Sequence, residues 1–352
     1  MAFLEIRNVK IVGIAACVPA HIEDNLTIPV FREGEAERVI AQTGIRYKHT
    51  VLDNTMLASD MALAAAEKLI AELKWDKSTI EALCFVSLSP DYPEPPTACI
   101  LQDRLGLQED CMTIDINQGC SGWVNGLASL AGLVSSGNIK RALLLNGDTS
   151  SLLCSKFDKE SRPLFGDGCA ATAIEYDKGA KSIYFNFGTR GKDFEAILTK
   201  SGGLRYPIDE EALKYKEYGE NIVRRDKDST MDGMSVFAFG MSTAPKSVTA
   251  LCEKYSINLD DIDYFVMHQA NMYMNEKIRK KLKVPVEKTP YSMGEYGNTS
   301  SASIPLTIVT QLNNEIEKRP LKILAVAFGV GLAWGSIYFE TDGMICPYIV
   351  LI

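Results

Sequence analysis

Three side chains have the types and settings that nucleophilic catalysis requires: Cys120 in NQGCSG, His268 at the end of DYFVMH, and Asn298 in EYGNTSSASIP. Cys120 follows the strand-like run 111–116 and opens the helical pattern SGWVNGLASLAGLVSSG, which ends near Gly137. A thiol at a helix N-terminus faces unpaired N–H groups and the positive end of the helix dipole, which favours the thiolate. The adjacent Gly119 and Gly122 permit a tight turn and close approach of a substrate. Taken singly, each residue has a plainer reading as a structural cysteine, a satisfied core histidine or a helix-capping asparagine. His268 nevertheless has few rivals, since the only other histidines are His21 and His49. The glycine-rich turn AFGVGLAWGS at 327–336 lies between two strands and precedes no helix, unlike a dinucleotide-binding loop. A backbone N–H donor that joins the N–H of Cys120 in an oxyanion hole suits it better.

These residues need a frame. Strand-like runs alternate with helical patterns through the first half: strand 11–17, helix 59–73, strand 82–87, helix 99–105, strand 111–116, helix 121–136 and strand 142–147. That alternation predicts an α/β protein with helices packed on sheets. The second half repeats the first. LCFVS at 83–87 parallels YFVMH at 264–268, DRLGL at 103–107 parallels KKLKV at 280–284, and RALLLNG at 141–147 parallels LKILAVAFG at 321–329. Matching position 265 to 85, 282 to 105 and 323 to 142 gives offsets of 180, 177 and 181. Cys120 and Asn298 are 178 apart, in the same register, and His268 falls at the strand end equivalent to the one after 83–87. Two halves, 1–180 carrying the cysteine and 181–352 carrying the histidine and asparagine, would thus build one site between them. Residues 184–245 interrupt the pattern with a charge-rich stretch, either a functional loop or an inert surface insertion.

Composition narrows the function. With 46% hydrophobic and 23% charged residues, the 352-residue chain reads as an ordered globular enzyme, and its net charge of −8 argues against nucleic acid as a partner. Nine cysteines without CxxC pairs read as reduced thiols of a cytoplasmic protein. The apolar run 11–20 is expected to be a buried strand rather than a signal segment, and the C-terminal ICPYIVLI, too short to span a bilayer, a tail strand or interface segment. No membrane span, metal or resident cofactor is expected.

NQGCSG, MHQAN at 267–271, YGNTSSASIP at 296–305 and FGVGLAWG at 328–335 resemble the four signature segments of ketoacyl-acyl-carrier-protein synthase III. TGI at 43–45 and FGDG at 165–168 also match, so the resemblance runs from about residue 10 to residue 340. It implies a thiolase-like fold, two duplicated βαβαβαββ halves packed as a five-layer αβαβα sandwich. It also implies an acyltransferase of fatty acid biosynthesis that works as a homodimer. By the same resemblance Cys120 takes an acyl group from a thioester, while His268 and Asn298 hold the thioester carbonyl of a malonyl unit as it loses carbon dioxide. The N–H groups of Cys120 and Val330 would hold the oxyanion.

Departures from the family pattern bear on the substrate. Arg38 and Gln42 stand where a Trp and an Arg usually serve a coenzyme A primer, and Lys159 stands where a phosphate-contacting Arg is usual. Gly233, Phe237 and Asn271 keep positions that line the pantetheine channel, and Tyr273 replaces an Arg that helps dock the carrier protein. Acyl carrier protein is therefore expected as a partner, with acyl-CoA an open alternative. The basic helix at 275–283, with Lys277, Arg279, Lys280 and Lys281, is read as a replacement docking face, or else a solvated one. Glu94 and Pro95 occupy the segment that in relatives closes the partner's acyl pocket.

Three competing readings remain open on sequence. The chain could pass a carrier-bound acyl group to an oxygen, nitrogen or sulfur acceptor without decarboxylation. It could be a non-catalytic thiolase-fold partner subunit, or a papain-like hydrolase built on the same three residue types.

Overall fold

The computed structural model describes all 352 residues. Two sheets carry the chain. The first runs in the order Val350–Leu351, Val9–Val18, Gly168–Tyr176, Arg141–Asp148, Ala82–Val86, Met112–Ile116. The second runs Ala2–Ile6, Ile183–Thr189, Ala333–Glu340, Lys322–Gly329, Tyr264–Met267. Four strands correspond in the same order and sense: 9–18 with 183–189, 168–176 with 333–340, 141–148 with 322–329, and 82–86 with 264–267. The internal repeat is therefore a repeat of topology.

Helix Gly122–Val134 buries most of its circumference, with only Ser129, Gly132 and Leu133 exposed along one strip, and its composition is correspondingly apolar. It lies with helix Ser303–Ile316 between the sheets, where Trp123, Leu127, Ile304 and Ile308 share one core with Val86 and Leu144 of the first sheet and Val266 and Ala325 of the second. Helix Ala58–Leu73 covers the outer face of the first sheet through Met61, Ala65 and Leu69. Helix Gly233–Tyr255, capped by Asp232 on the N–H groups of Met234 and Ser235, covers the second through Val236, Phe239, Val248 and Leu251. The result is the five-layer αβαβα sandwich.

Two details depart from the sequence expectation. The second copy has one strand fewer: where the first half forms Met112–Ile116, the second has only the 3-10 turn Val286–Lys288 and the short helix Met293–Tyr296. Pro285 and Pro290 flank that turn and lack the N–H that a ladder requires. The chain ends are also exchanged. Ala2–Ile6 pairs with Ile183–Thr189 in the second sheet, and Val350–Leu351 pairs with Val9–Val18 in the first, so neither sheet is built from 1–180 or 181–352 alone.

The interruption narrows to 190–232, since 183–189 is a sheet strand and the long helix begins at Gly233. It is ordered by two small antiparallel pairs, Ile197–Thr199 with Ser229–Met231 and, between them in sequence, the hairpin Lys216–Gly219 with Ile222–Arg224. Arg224 anchors it to the body by donating to the buried carboxylate of Asp158 at 2.7 Å.

Candidate active site

A cavity of about 1110 Å³ opens between the two halves, and Cys120, His268, Asn298 and Val330 all line it. Cys120 sits just before Ser121, which precedes helix Gly122–Val134, and it remains partly accessible. The backbone N–H groups of Val330 and of Cys120 itself approach its Sγ and favour the thiolate. Burial nevertheless pushes the thiol up, and the carboxylate of Asp148 adds to that rise. The expected thiolate-favouring helix terminus is therefore outweighed: the dipole is partial and local, whereas desolvation acts on the whole charge.

His268 follows strand Tyr264–Met267 and is 2% exposed. Its N–H continues the ladder to the carbonyl of Val326 at 2.9 Å, and its own carbonyl accepts from Asn275 Nδ2 at 3.0 Å. Nδ1 lies 2.7 Å from the Ser303 hydroxyl, the first residue of helix Ser303–Ile316. Burial depresses the imidazole to about 4, opposed by the Ser300 backbone, so the ring is neutral near pH 7. The edge of Phe328 faces it, with ring centroids 6.0 Å apart.

Asn298 is held by its backbone to the FGDG segment, donating to Leu164 at 2.8 Å and accepting from Gly166 at 3.1 Å. This approach requires glycine, because a Cβ at Gly166 would lie 2.0 Å from the Tyr296 carbonyl oxygen. Asn298 Oδ1 accepts from the Ser300 N–H at 3.0 Å, an Asx-turn bond one residue before the cap position Thr299, which leaves the two Nδ2 hydrogens as donors.

The outer cavity is lined by Arg38 and Gln42 from helix Glu35–Thr43, and by Lys159, Gly233, Phe237, Asn271 and Tyr273. Lys159 is engaged by Glu35 at 3.2 Å. Phe237 stacks on Tyr273, with centroids 5.7 Å apart, and Asn271 caps helix Met272–Leu282 through the Met274 N–H at 2.8 Å. Ile197, Ser229 and Met231 line the cavity too, so the 190–232 insertion forms part of its wall.

Other expected site residues lie elsewhere. Glu94 and Pro95 are exposed in the turn before helix Thr97–Arg104 and do not line the cavity. On the basic helix, Lys280 is exposed, Lys277 lies over the Tyr273 ring at 5.4 Å, and Lys281 donates to the Met241 carbonyl at 3.2 Å. Arg279 is not a free cation: it makes two bonds to Glu276, at 2.8 and 2.7 Å, and one to the Val284 carbonyl at 2.7 Å. Three residues beside the reactive groups escaped the sequence reading. Ser303 is one of three serines in NTSSAS, Asp148 ends a strand, and Gly329 is one glycine in a glycine-rich turn, so only contacts distinguish them.

Fold and site chemistry together define the class: an acyltransferase of the thiolase fold. Two family models match the chain, 3-oxoacyl-[acyl-carrier-protein (ACP)] synthase III over residues 114–191 and its C-terminal part over residues 252–341. The β-ketoacyl-[acyl-carrier-protein] synthase III of Clostridium perfringens is 31% identical over 94% of this chain and 98% of its own length. The putative 3-oxoacyl-[acyl-carrier-protein] synthase 3 of Campylobacter jejuni is 32% identical over 93% of this chain and 92% of its own. The crystal structure of a 3-oxoacyl-(acyl-carrier protein) synthase from Burkholderia xenovorans LB400 superposes with a TM-score of 0.93 at 33% identity, covering 100% of this chain and 99% of that one. The chain belongs to the 3-oxoacyl-acyl-carrier-protein synthase III family.

Proposed function

We propose that the protein condenses an acyl thioester with malonyl-acyl carrier protein, with loss of carbon dioxide, to give a 3-oxoacyl thioester through an acyl-Cys120 intermediate. The observation that carries this reading is the convergence of Cys120, His268, Asn298 and the Val330 N–H on one cavity. In the first step Sγ forms a bond to the acyl carbon, the carrier thiolate leaves, and the thiol proton goes to it. The N–H groups of Cys120 and Val330 already face Sγ, where the neighbouring acyl oxygen would collect charge, and each such donor is worth about 3 kcal/mol. In the second step His268 and Asn298 Nδ2 donate to the malonyl thioester oxygen. The carbon–carbon bond to the carboxylate breaks, its electron pair enters the enolate, and carbon dioxide leaves. The enolate carbon then attacks the acyl-cysteine, and the Cys120 thiolate is expelled and takes up a proton.

Acyl carrier protein fits the donor side better than coenzyme A. The Lys159 charge is matched by Glu35, and no aromatic residue stands at positions 38 and 42. Lys277, Lys280 and Lys281 remain the cations of the docking reading, and Arg279 serves the helix instead. Gly233, Phe237 and Asn271 would flank the pantetheine arm. We also propose a homodimer joined through the edge strand Met112–Ile116, which has no outer neighbour in its sheet and leaves Met112 exposed. Glu94 and Pro95 would then face the partner's pocket. Nine unpaired cysteines suit a reducing cytoplasm, and no helix is long and apolar enough to cross a membrane.

The test is intact mass after incubation with acyl-CoA and acyl-carrier-protein donors, followed by malonyl-carrier protein. A mass gain lost in Cys120→Ala, with carbon dioxide released on malonyl addition, is the expected result. A covalent adduct that persists in Cys120→Ala, or turnover without carbon dioxide, would overturn it.

A further inference from the structure

The Ser303 hydroxyl is 1% exposed, and the only hydrogen bond it makes is the 2.7 Å contact with Nδ1 of His268. A hydroxyl hydrogen and a ring proton cannot both occupy that line. If Nδ1 carried the proton, Ser303 would accept it, and its own hydrogen would be left buried without an acceptor, at a cost of about 1–3 kcal/mol. If Ser303 donates, Nδ1 is the acceptor and the single proton of the neutral ring must sit on Nε2. The Ser300 backbone, three residues earlier, also favours a protonated ring nitrogen.

We propose that Ser303 is the positioning residue that fixes His268 as the Nε2–H tautomer, which makes the buried ring a hydrogen-bond donor to the malonyl thioester. This rests on the role given to His268 above. The catalytic need is specific. A neutral ring with its proton on Nδ1 would turn a lone pair toward the thioester oxygen and repel the enolate. With the proton on Nε2 it holds the oxygen alongside Asn298 Nδ2 through the decarboxylation, and no proton moves in that step. A carboxylate at Nδ1 would do the same orienting work only by favouring the charged imidazolium. A hydroxyl orients the ring and leaves it neutral.

The chain has three histidines, so imidazole 15N spectra of labelled protein are simple to assign with His268→Gln as reference. The wild type should show His268 as Nε2–H, and Ser303→Ala, which removes the donor at Nδ1, should move it toward Nδ1–H. Decarboxylation of malonyl-carrier protein by Ser303→Ala should fall about a hundredfold, while acyl-enzyme formation stays within a few-fold of wild type. An Nδ1–H signal in the wild type, which needs no variant to observe, would overturn the proposal, as would an unchanged tautomer in Ser303→Ala. A shifted tautomer with undiminished decarboxylation would leave the tautomer assignment standing and remove His268 as the donor, which separates the two claims.

Discussion

Gly329 lies directly against Cys120: a Cβ placed on it would stand 2.4 Å from Sγ and 2.6 Å from the cysteine Cβ. The strand that delivers the Val330 N–H can come this close only because position 329 has no side chain. Gly329→Ala should therefore displace the thiol from its two N–H donors. Acyl-enzyme formation, followed by intact mass against time, should slow about a hundredfold, with a stability loss of about 1–3 kcal/mol from overpacking. Acylation within threefold of wild type would show that the close approach does not matter.

Glu35 pairs with Lys159, the lysine that by the proposed reading would meet a coenzyme A phosphate. Glu35→Gln should free the Lys159 charge and raise kcat/KM for acyl-CoA donors about two- to fivefold, the range of a partly exposed ion pair. Neutral N-acetylcysteamine thioesters should be unaffected. Equal gains for both donors would place the effect in the fold rather than in phosphate recognition.

His268 is neutral when folded, because burial lowers it from 6.5 to about 4. Between those values the unfolded chain takes up a proton that the folded protein refuses, so folding stability falls as pH drops through the window, by about 3 kcal/mol in full. Burial raises Asp167 to about 6, and the opposite sign follows: the folded protein takes the proton first, and stability gains as pH falls from there. In urea unfolding at a series of pH values, the difference between wild type and His268→Gln cancels the aspartate. The wild type should lose about 3 kcal/mol relative to the variant between pH 6.5 and 4. A difference independent of pH would mean that the imidazole is solvated.

Glu276 is held down at about 2, first by Arg279 and also by the Tyr291 hydroxyl, which donates to it at 2.8 Å. Arg279→Glu breaks this cluster and should lower the Tm by several degrees. Lys280→Glu, on the exposed face, should leave stability within about 0.5 kcal/mol. It should raise KM for acyl carrier protein severalfold while leaving a small thioester mimic unchanged. Equal effects on both substrates would rule out docking on this helix.

What the sequence determined by itself is what depends on local chemistry and on repetition. The alternation of strand and helix patterns, the offset near 180 and the turns around Cys120, His268 and Asn298 follow from side-chain periodicity and glycine placement, which neighbours along the chain decide. The tertiary structure decided everything that depends on burial or on a distant partner. His268 meets Ser303 from 35 residues away, and the chain ends cross to opposite sheets. Arg279 turns inward to Glu276 although its spacing alone suits a solvated face. The thiol shows the difference most directly: its helix terminus was legible in NQGCSG, but the desolvation that overrides the dipole arises only when the two halves close over it.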